Sequence, residues 1–395
     1  MAERFDYAVV GLGALGSATA YQLAARGHAV VGLERFELGH ARGASHDSSR
    51  ILRHSYHTPD YVRLTCEAYD DWAALEADTG ERFVTRVGGL DLFPSGGVIP
   101  LADYTESLAA VGIAHEVLTA AEVMRRWPVF SLDPGVAGLH QERGSIVPAA
   151  RATAAMQRRA VARGAVLRDR SPVTSLALEG RDGSEVEVVA GGATYRCRGV
   201  VVCADAWTND VLGHLGVRVP LTVTLEQATY FALDEPARFA PEAMPLWIWM
   251  DGPCFYGFPT YGEPTIKAAE DVGGPPVDPD ARTGEVDPEM LARLAAHVTS
   301  MLPGSGQPVR SLRCQYALTP DRDFVLDRLS GHPSVVVGLG AGHGFKFAPT
   351  FGRLLADLAV HGEPRATRHG LADLTAYRLD RPALTDPGFP PSWLV

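Results

Sequence analysis

The sequence predicts an α/β protein in which one parallel-sheet domain is left and re-entered by the chain, with a second α+β domain built on a mainly antiparallel sheet. Three observations predict it. A β-prone run, a glycine-rich turn and a helical pattern follow one another between Phe5 and Gly27, the order of a Rossmann-like dinucleotide-binding start. Far along the chain, GVVVCADAW from Gly199 has the unbroken apolarity of a parallel strand buried on both faces and returning to the first sheet. From about Leu221 onward, short β runs separated by Pro and Gly, including PLWIWMDGPCFYGFPTYGEPTIK, read as an antiparallel excursion.

Length and composition bound the rest. At roughly 150 residues per domain, 395 residues correspond to about 2.6 domains, best read as two intertwined ones. With 46% hydrophobic and 21% charged residues the chain can bury a sizeable core. A formal net charge of −11 without any basic run repels phosphate backbones and anionic lipid heads, so neither nucleic acid nor membrane is an expected partner. The five cysteines are scattered with no CxxC pair, which argues against a zinc site or a disulfide framework. No ~18-residue apolar stretch and no signal-peptide pattern are visible; a cytoplasmic protein, monomeric or a small homo-oligomer, is expected.

The elements follow in order. Gly11-Leu-Gly13-Ala-Leu-Gly16 joins the first strand to the helix SATAYQLAARG. Gly11 allows the tight turn, Gly13 lets the backbone approach a pyrophosphate, Gly16 permits close helix packing, and the helix N-terminus offers free N–H groups. HAVVGLER then forms a second strand and puts Glu34 where an acid grips a ribose hydroxyl. These residues announce a dinucleotide without choosing between NAD and FAD. A polar connection from Arg35 to Arg53 is too hydrophilic for a core strand and too long for an ordinary loop. Helices are expected over YVRLTCEAYDDWAALEADTG, ADYTESLAAV, TAAEVMRRW, AARATAAMQRRAVARG and MLARLAAHVTSML, and GGPPVDPDARTG is expected to be a surface loop.

Four segments hold the unusual chemistry: Ser45 to His54, Cys254 to Lys267, Arg313 to Asp327 and Gly338 to Phe347. Taken singly, each has a structural reading. Arg50 and Arg53 can cap or pair, Lys267 can guard a strand edge, Cys314 can be an inert thiol, and Lys346 can snorkel. The last segment, however, sits at a second strand-to-helix junction. Lys346 there lies between Phe345 and Phe347, a poor place for an idle charge.

Together with the N-terminal fingerprint these segments resemble the monomeric sarcosine oxidase family, which includes N-methyltryptophan oxidase and related flavin amine oxidases. The match runs in order over nearly the whole chain. It implies an FAD-binding domain over residues 1–85, 145–220 and 310–395 and a substrate domain over 86–144 and 221–309. It further implies FAD held covalently through Cys314. His46, Ser49 and Arg50 would lie against the flavin, and Arg35, Ser45, Val173, Gly342, Gly344 and Lys346 would complete the cofactor contacts. Arg53 and Lys346 would hold a substrate carboxylate, and Tyr256 would line the pocket, with Trp247 and Trp249 adding aromatic surface if they share its face. Lys267 matches the lysine that activates dioxygen, which makes Lys267, Arg50, His46 and Tyr256 the expected catalytic set.

The physical logic agrees. A carboxylate in a desolvated pocket needs cationic hydrogen-bond donors, and dioxygen acquiring negative charge needs a fixed ammonium. Arg50 and Arg313 are expected to lower the pKa of Cys314. Two departures stand out: Asp271 replaces a histidine found in some sarcosine-oxidising members, and Asp205 replaces a common glycine. The expected function is oxidation of a secondary or cyclic amino acid to an imine with hydrogen peroxide as by-product. A flavin-dependent dehydrogenase using another acceptor, or a non-catalytic flavin subunit, are the rival readings.

Overall fold

Tyr7–Val10 reads YAVV and is buried at every position, so it can serve only as the centre of a sheet covered on both faces. The computed structural model, which describes residues 2–179, 185–365, 367–370 and 374–393, places it there. Val30–Leu33 flanks it on one side and Gly199–Val202 on the other, both parallel. Val166–Arg168, His332–Leu339 and an antiparallel edge strand, Val325–Leu329, complete a six-stranded sheet. The late apolar run thus returns to the first sheet, as its hydrophobicity predicts.

Helices Ala14–Ala25, Ala149–Ala162 and Ala348–His361 pack together, the first of them between the other two. Their small residues allow close approach: a Cβ on Gly352 would come within 2.5 Å of the Ala18 backbone. Gly352→Ala is expected to destabilise the protein by about 1–3 kcal/mol in a thermal melt. Gly213→Ala, where an added Cβ meets nothing within 4 Å, is expected to leave the melting temperature unchanged. The other face of the sheet is covered by a four-stranded layer, whose Leu176, Val186, Val188 and Tyr195 meet Ala8, Val10, Val200 and Val202.

The second large element is an eight-stranded sheet in the order Ser305–Leu318, Thr222–Leu233, Ile266–Asp271, Cys254–Phe258, Leu246–Trp249, Gly89–Phe93, Ala137–Gln141, Glu116–Thr119. Only Leu246–Trp249 against Gly89–Phe93 is parallel. Strand alternation divides its residues cleanly. One face buries Leu90, Leu92, Trp247, Phe255 and Ala268 against Leu294 and Val298 of helix Pro288–Met301. The opposite face carries Asp91, Ile248, Tyr256, Lys267, Asp271, Cys314 and Tyr316 at alternate positions. Strand Ser305–Leu318 spans the 309/310 boundary drawn from the sequence, and its second half delivers Cys314 and Tyr316. The polar connection after Arg35 also ends differently from expectation. Arg50–Leu52 is a short strand, because it finds a buried antiparallel partner in Ser145–Val147.

Candidate active site

The glycine turn behaves as its chemistry requires. Gly11 has φ +87°, and a Cβ on it would sit 2.5 Å from the Cys203 carbonyl oxygen; one on Gly16 would collide with the Gly11 oxygen at 1.8 Å. Gly13 is different: its missing Cβ faces only Ser45 Oγ at 3.0 Å, so its empty side is open to a ligand. Ser45 Oγ accepts from Ala14 N at 2.8 Å, fixing the start of the helix. Glu34 Oε2 accepts from Leu12 N (2.8 Å) and Oε1 from Phe36 N (3.1 Å). Burial opposes the Glu34 charge, but hydrogen bonds from His40, Leu12 and Phe36 outweigh it and hold its pKa below the usual value.

A cleft of about 540 Å³ runs along this turn. At the cofactor sheet it is bounded by Glu34, Arg35, Val173 and Asp205, and at the large sheet by Arg53, Tyr256 and Asp271, with Gly342, Gly344 and Lys346 also in its wall. Buried polar atoms in its wall have no hydrogen-bond partner among the described residues, including His46 Nε2 and Asp205 Oδ2. Asp205 has φ +48°, a conformation non-glycine residues rarely adopt, and burial pushes its carboxyl up to about 6. His46 is held neutral, its pKa brought down to about 4 by burial and by Arg50. A glycine cradle, a buried ribose-type acid and unpartnered polar atoms along an elongated cleft fit FAD.

Arg53 and Lys346 converge. The Arg53 guanidinium carbon lies 5.0 Å from the Tyr56 ring centre and Lys346 Nζ lies 5.5 Å from the same ring. Arg53 Nη1 donates to Asp91 Oδ2 (3.0 Å) and Ser55 Oγ (3.2 Å); its other nitrogens make no hydrogen bond among the described residues. Burial disfavours the Arg53 charge, but Asp91, together with Tyr56, Tyr104 and Cys254, outweighs it and the pKa is raised. Lys346 Nζ donates to the His343 carbonyl at 2.9 Å and has no carboxylate partner among the described residues. Burial, then Arg53 and Arg322, drive its pKa well below the ordinary lysine value.

Asp271 also lines the cleft, and it is not a bare anion. Arg322, itself buried, donates from Nη2 to Asp271 Oδ1 at 2.8 Å. The sequence reading of a positive or neutral ring simply replaced by a negative charge is therefore incomplete, since the charge arrives with its counter-ion. Neither Arg322 nor Asp91 was singled out from sequence; both act through partners distant along the chain.

Other expected residues stand one layer back. Ser49, Lys267, Cys314 and Gly16 are not in the cleft wall. Lys267 lies behind Phe258, its Nζ 5.3 Å from that ring, and contacts Asp47 at 2.5 Å and the Ser49 carbonyl at 3.2 Å. Burial and Arg50 bring Lys267 down to about 8 against the pull of Asp47. Arg50 itself wraps the loop before it, donating to the carbonyls of Ala44 (2.8 Å) and His46 (2.9 Å).

Two expectations are corrected. Trp247 does not line the cleft: it points to the opposite face of the sheet, fully buried, with His297 6.1 Å away, and Trp249 shares that face. The two tryptophans do share a face, but helix Pro288–Met301 covers it. Arg313 does not lower the Cys314 pKa either, because neighbours in a strand point oppositely. Its Nη2 donates to the Leu225 carbonyl at 2.9 Å. Burial pushes the Cys314 thiol up to about 11, with Arg50 and Lys267 acting in the other direction.

The fold and the cleft define a flavoprotein oxidoreductase. The chain belongs to the FAD dependent oxidoreductase family known as DAO, whose model matches residues 6–358. It is 34% identical to monomeric sarcosine oxidase of Streptomyces avermitilis, over 92% of this chain and 95% of that one. It is 31% identical to human peroxisomal sarcosine oxidase over 96% of both chains. Among solved structures it is similar to NikD, described as an unusual amino acid oxidase essential for nikkomycin biosynthesis, with a TM-score of 0.82 and 31% identity over 94% of this chain and 98% of that one. Among the described residues, no helix is long and apolar enough to cross a membrane, and no cluster of His, Cys, Asp and Glu could hold a metal ion.

Proposed function

We propose that this chain oxidises the C–N bond of a secondary or cyclic amino acid to an imine, with dioxygen as final acceptor and hydrogen peroxide as by-product. The observation that supports it best is the convergence of Arg53 and Lys346 on the Tyr56 ring in the wall of a cleft that also contains the glycine cradle. In this reading residues 1–85, 145–220 and 310–395 hold the cofactor, and 86–144 with 221–309 form the substrate side. FAD, when bound, supplies the two-electron acceptor.

The chain's own residues divide the remaining tasks. Arg53 offers its free guanidinium edge, and Lys346 its ammonium, to the carboxylate. That contact fixes the amino acid's orientation, while Tyr256, Ile248 and Cys254 present the apolar wall that excludes water from the reacting carbon. Asp271, compensated by Arg322, faces the same space and favours an N–H of the substrate. Gly11, Gly13, Glu34, Arg35, Ser45 and Val173 hold the dinucleotide end, with Gly16 letting the helix pack against the turn; His46, Arg50, Gly342 and Gly344 border its ring end, with Ser49 one layer behind. Lys267 supplies the positive charge near which dioxygen acquires electrons. All of these come from one chain, so a monomer suffices. The free cysteines suit a reducing compartment, and we place the protein in the cytoplasm.

The deciding experiment is an anaerobic screen in which secondary and cyclic amino acids, including aromatic N-methyl compounds, are added to the yellow protein. Rapid bleaching by such an amino acid and recovery on admitting air, with peroxide formed, is the expected result. Bleaching without recovery in air would point instead to a dehydrogenase. Attachment of the cofactor is tested separately. Acid-denatured wild-type protein is expected to keep its chromophore, and Cys314→Ala to release it; free FAD from the wild type would remove the linkage.

A further inference from the structure

Asp47 lies in the polar connection before strand Arg50–Leu52 with φ +79°, a left-handed backbone costly for any residue but glycine, asparagine and aspartate. Its backbone carbonyl accepts from Ala150 N at 3.1 Å, which ties the turn to helix Ala149–Ala162. The turn delivers the carboxylate to one place. Asp47 Oδ2 lies 2.5 Å from Lys267 Nζ, with both side chains less than a tenth exposed. Oδ1 accepts from the Tyr230 hydroxyl at 2.6 Å, and that hydroxyl also meets Ser48 Oγ at 3.0 Å. Tyr230 pairs with Lys267 in register across the sheet, so its ring is as fixed as the strand that carries it.

Among the described residues, no other carboxylate contacts this ammonium; Glu226, which faces Cys314 on the same side of the sheet, is bonded to Thr224, Gly273 and Gly274 and is pushed up to about 7 by burial. Arg50 repels the ammonium, and His46 is neutral. Cys314, facing it from strand Ser305–Leu318, is protonated at neutral pH, and Phe258 from strand Cys254–Phe258 offers only its ring face. Glu263, the remaining acid sensed at Asp47, is committed to Arg310. A lysine so buried keeps its proton only with an anion in contact.

We propose that Asp47 is the positioning residue for Lys267: held by Tyr230, its carboxylate keeps the lysine ammonium charged and fixed one layer behind the cleft wall. The proposal rests on the oxygen-facing role given to Lys267 above. Asp47 touches neither substrate nor cofactor in this role; it acts through the lysine.

The test follows reoxidation of the reduced, flavin-loaded enzyme by dissolved oxygen from pH 6 to 9. The wild-type rate constant is expected to fall as pH rises through about 8, where Lys267 loses its proton. Asp47→Asn keeps a residue that tolerates the left-handed turn but removes the anion. The fall then begins at lower pH, and at pH 7.5 reoxidation is slower by about threefold for the first unit moved and about tenfold for each further one, recovering toward pH 6. Asp47→Gly, which relieves the backbone, is expected to behave like Asn; a wild-type profile for Gly would reduce Asp47 to a backbone role and overturn the proposal. Flavin reduction by substrate should change little in any of them. Lys267→Met separates the two readings, being slow and flat across pH if the lysine acts on oxygen. A slow Lys267→Met beside an Asp47→Asn that superimposes on wild type ends the role of Asp47 alone. Unchanged reoxidation in Lys267→Met ends the role of the lysine itself.

Discussion

Arg53→Met is expected to abolish saturable binding of the amino acid and to cost the fold about 3–5 kcal/mol. Two distinct losses are combined in that result. Arg53 is buried, and its Nη1 pairs with Asp91 Oδ2 at 3.0 Å. Asp91 has a second oxygen, Oδ1, that is buried without a partner among the described residues, so removal of the guanidinium strands a carboxylate in the wall of the large sheet. The stability loss belongs to that stranded charge, whereas the binding loss belongs to the guanidinium edge that Asp91 does not use. A second replacement pulls them apart. In Arg53→Met/Asp91→Leu the uncompensated carboxylate is gone, and an apolar residue joins a strand that already buries Leu90, Leu92 and Phe93. Thermal stability is expected to return most of the way to wild type while substrate affinity stays lost. Melting curves and anaerobic substrate titrations on the three proteins decide it. If binding returned with stability, Arg53 would be a structural residue and the carboxylate would be held elsewhere.

The contrast between Gly16 and Trp247 marks how far the sequence is legible. The glycine turn could be read because its whole physical requirement lies within a few consecutive residues: a strand before it, a positive φ at Gly11 and a helix start after it. The strand at Gly199–Val202 was legible for the same reason, since burial on both faces leaves a continuous apolar run. Trp247 was misplaced although the alternation of its strand was read correctly. Period-two spacing states which residues share a face but not what covers that face, and helix Pro288–Met301 comes from some forty residues further along. Cys314 and Arg313 fail in the same way, because adjacency in sequence suggests proximity where a strand imposes opposition.

The counter-ions of the site were the least legible part. Asp91 meets Arg53, Arg322 meets Asp271, and Asp47 meets Lys267, each pair drawn from separate strands or loops. In each, one member carries a visible chemical meaning and the other looks like any surface acid or base. The signal that could have found them is a balance argument: a cation placed by resemblance in a desolvated pocket demands an anion nearby. Lys346 is the informative exception, a buried amine with no acid in contact among the described residues.

That exception carries a pH prediction. In the free protein the Lys346 ammonium is opposed first by burial and then by Arg53 and Arg322, with only Asp271 acting the other way. A bound carboxylate brings the missing anion into a site of low dielectric, so binding must raise the lysine's pKa and take up a proton. The sign then follows. Below the depressed pKa of the free site, Lys346 is already charged and the dissociation constant does not depend on pH. Above it, and up to the pKa of the complex, each pH unit is expected to weaken binding about tenfold, with close to one proton taken up per ligand. A simple carboxylate lacking an amine, such as cyclopentanecarboxylate, isolates the effect because it stays ionised throughout. Calorimetry in two buffers of different ionisation enthalpy counts the proton directly. Lys346→Met is expected to lose about 2–5 kcal/mol of carboxylate affinity and the proton uptake with it. Lys346→Arg should bind without uptake, since a guanidinium keeps its charge where an ammonium does not. A wild-type protein that bound the carboxylate with no proton uptake at any pH would overturn the role of Lys346 as the group that takes up a proton to meet the ligand.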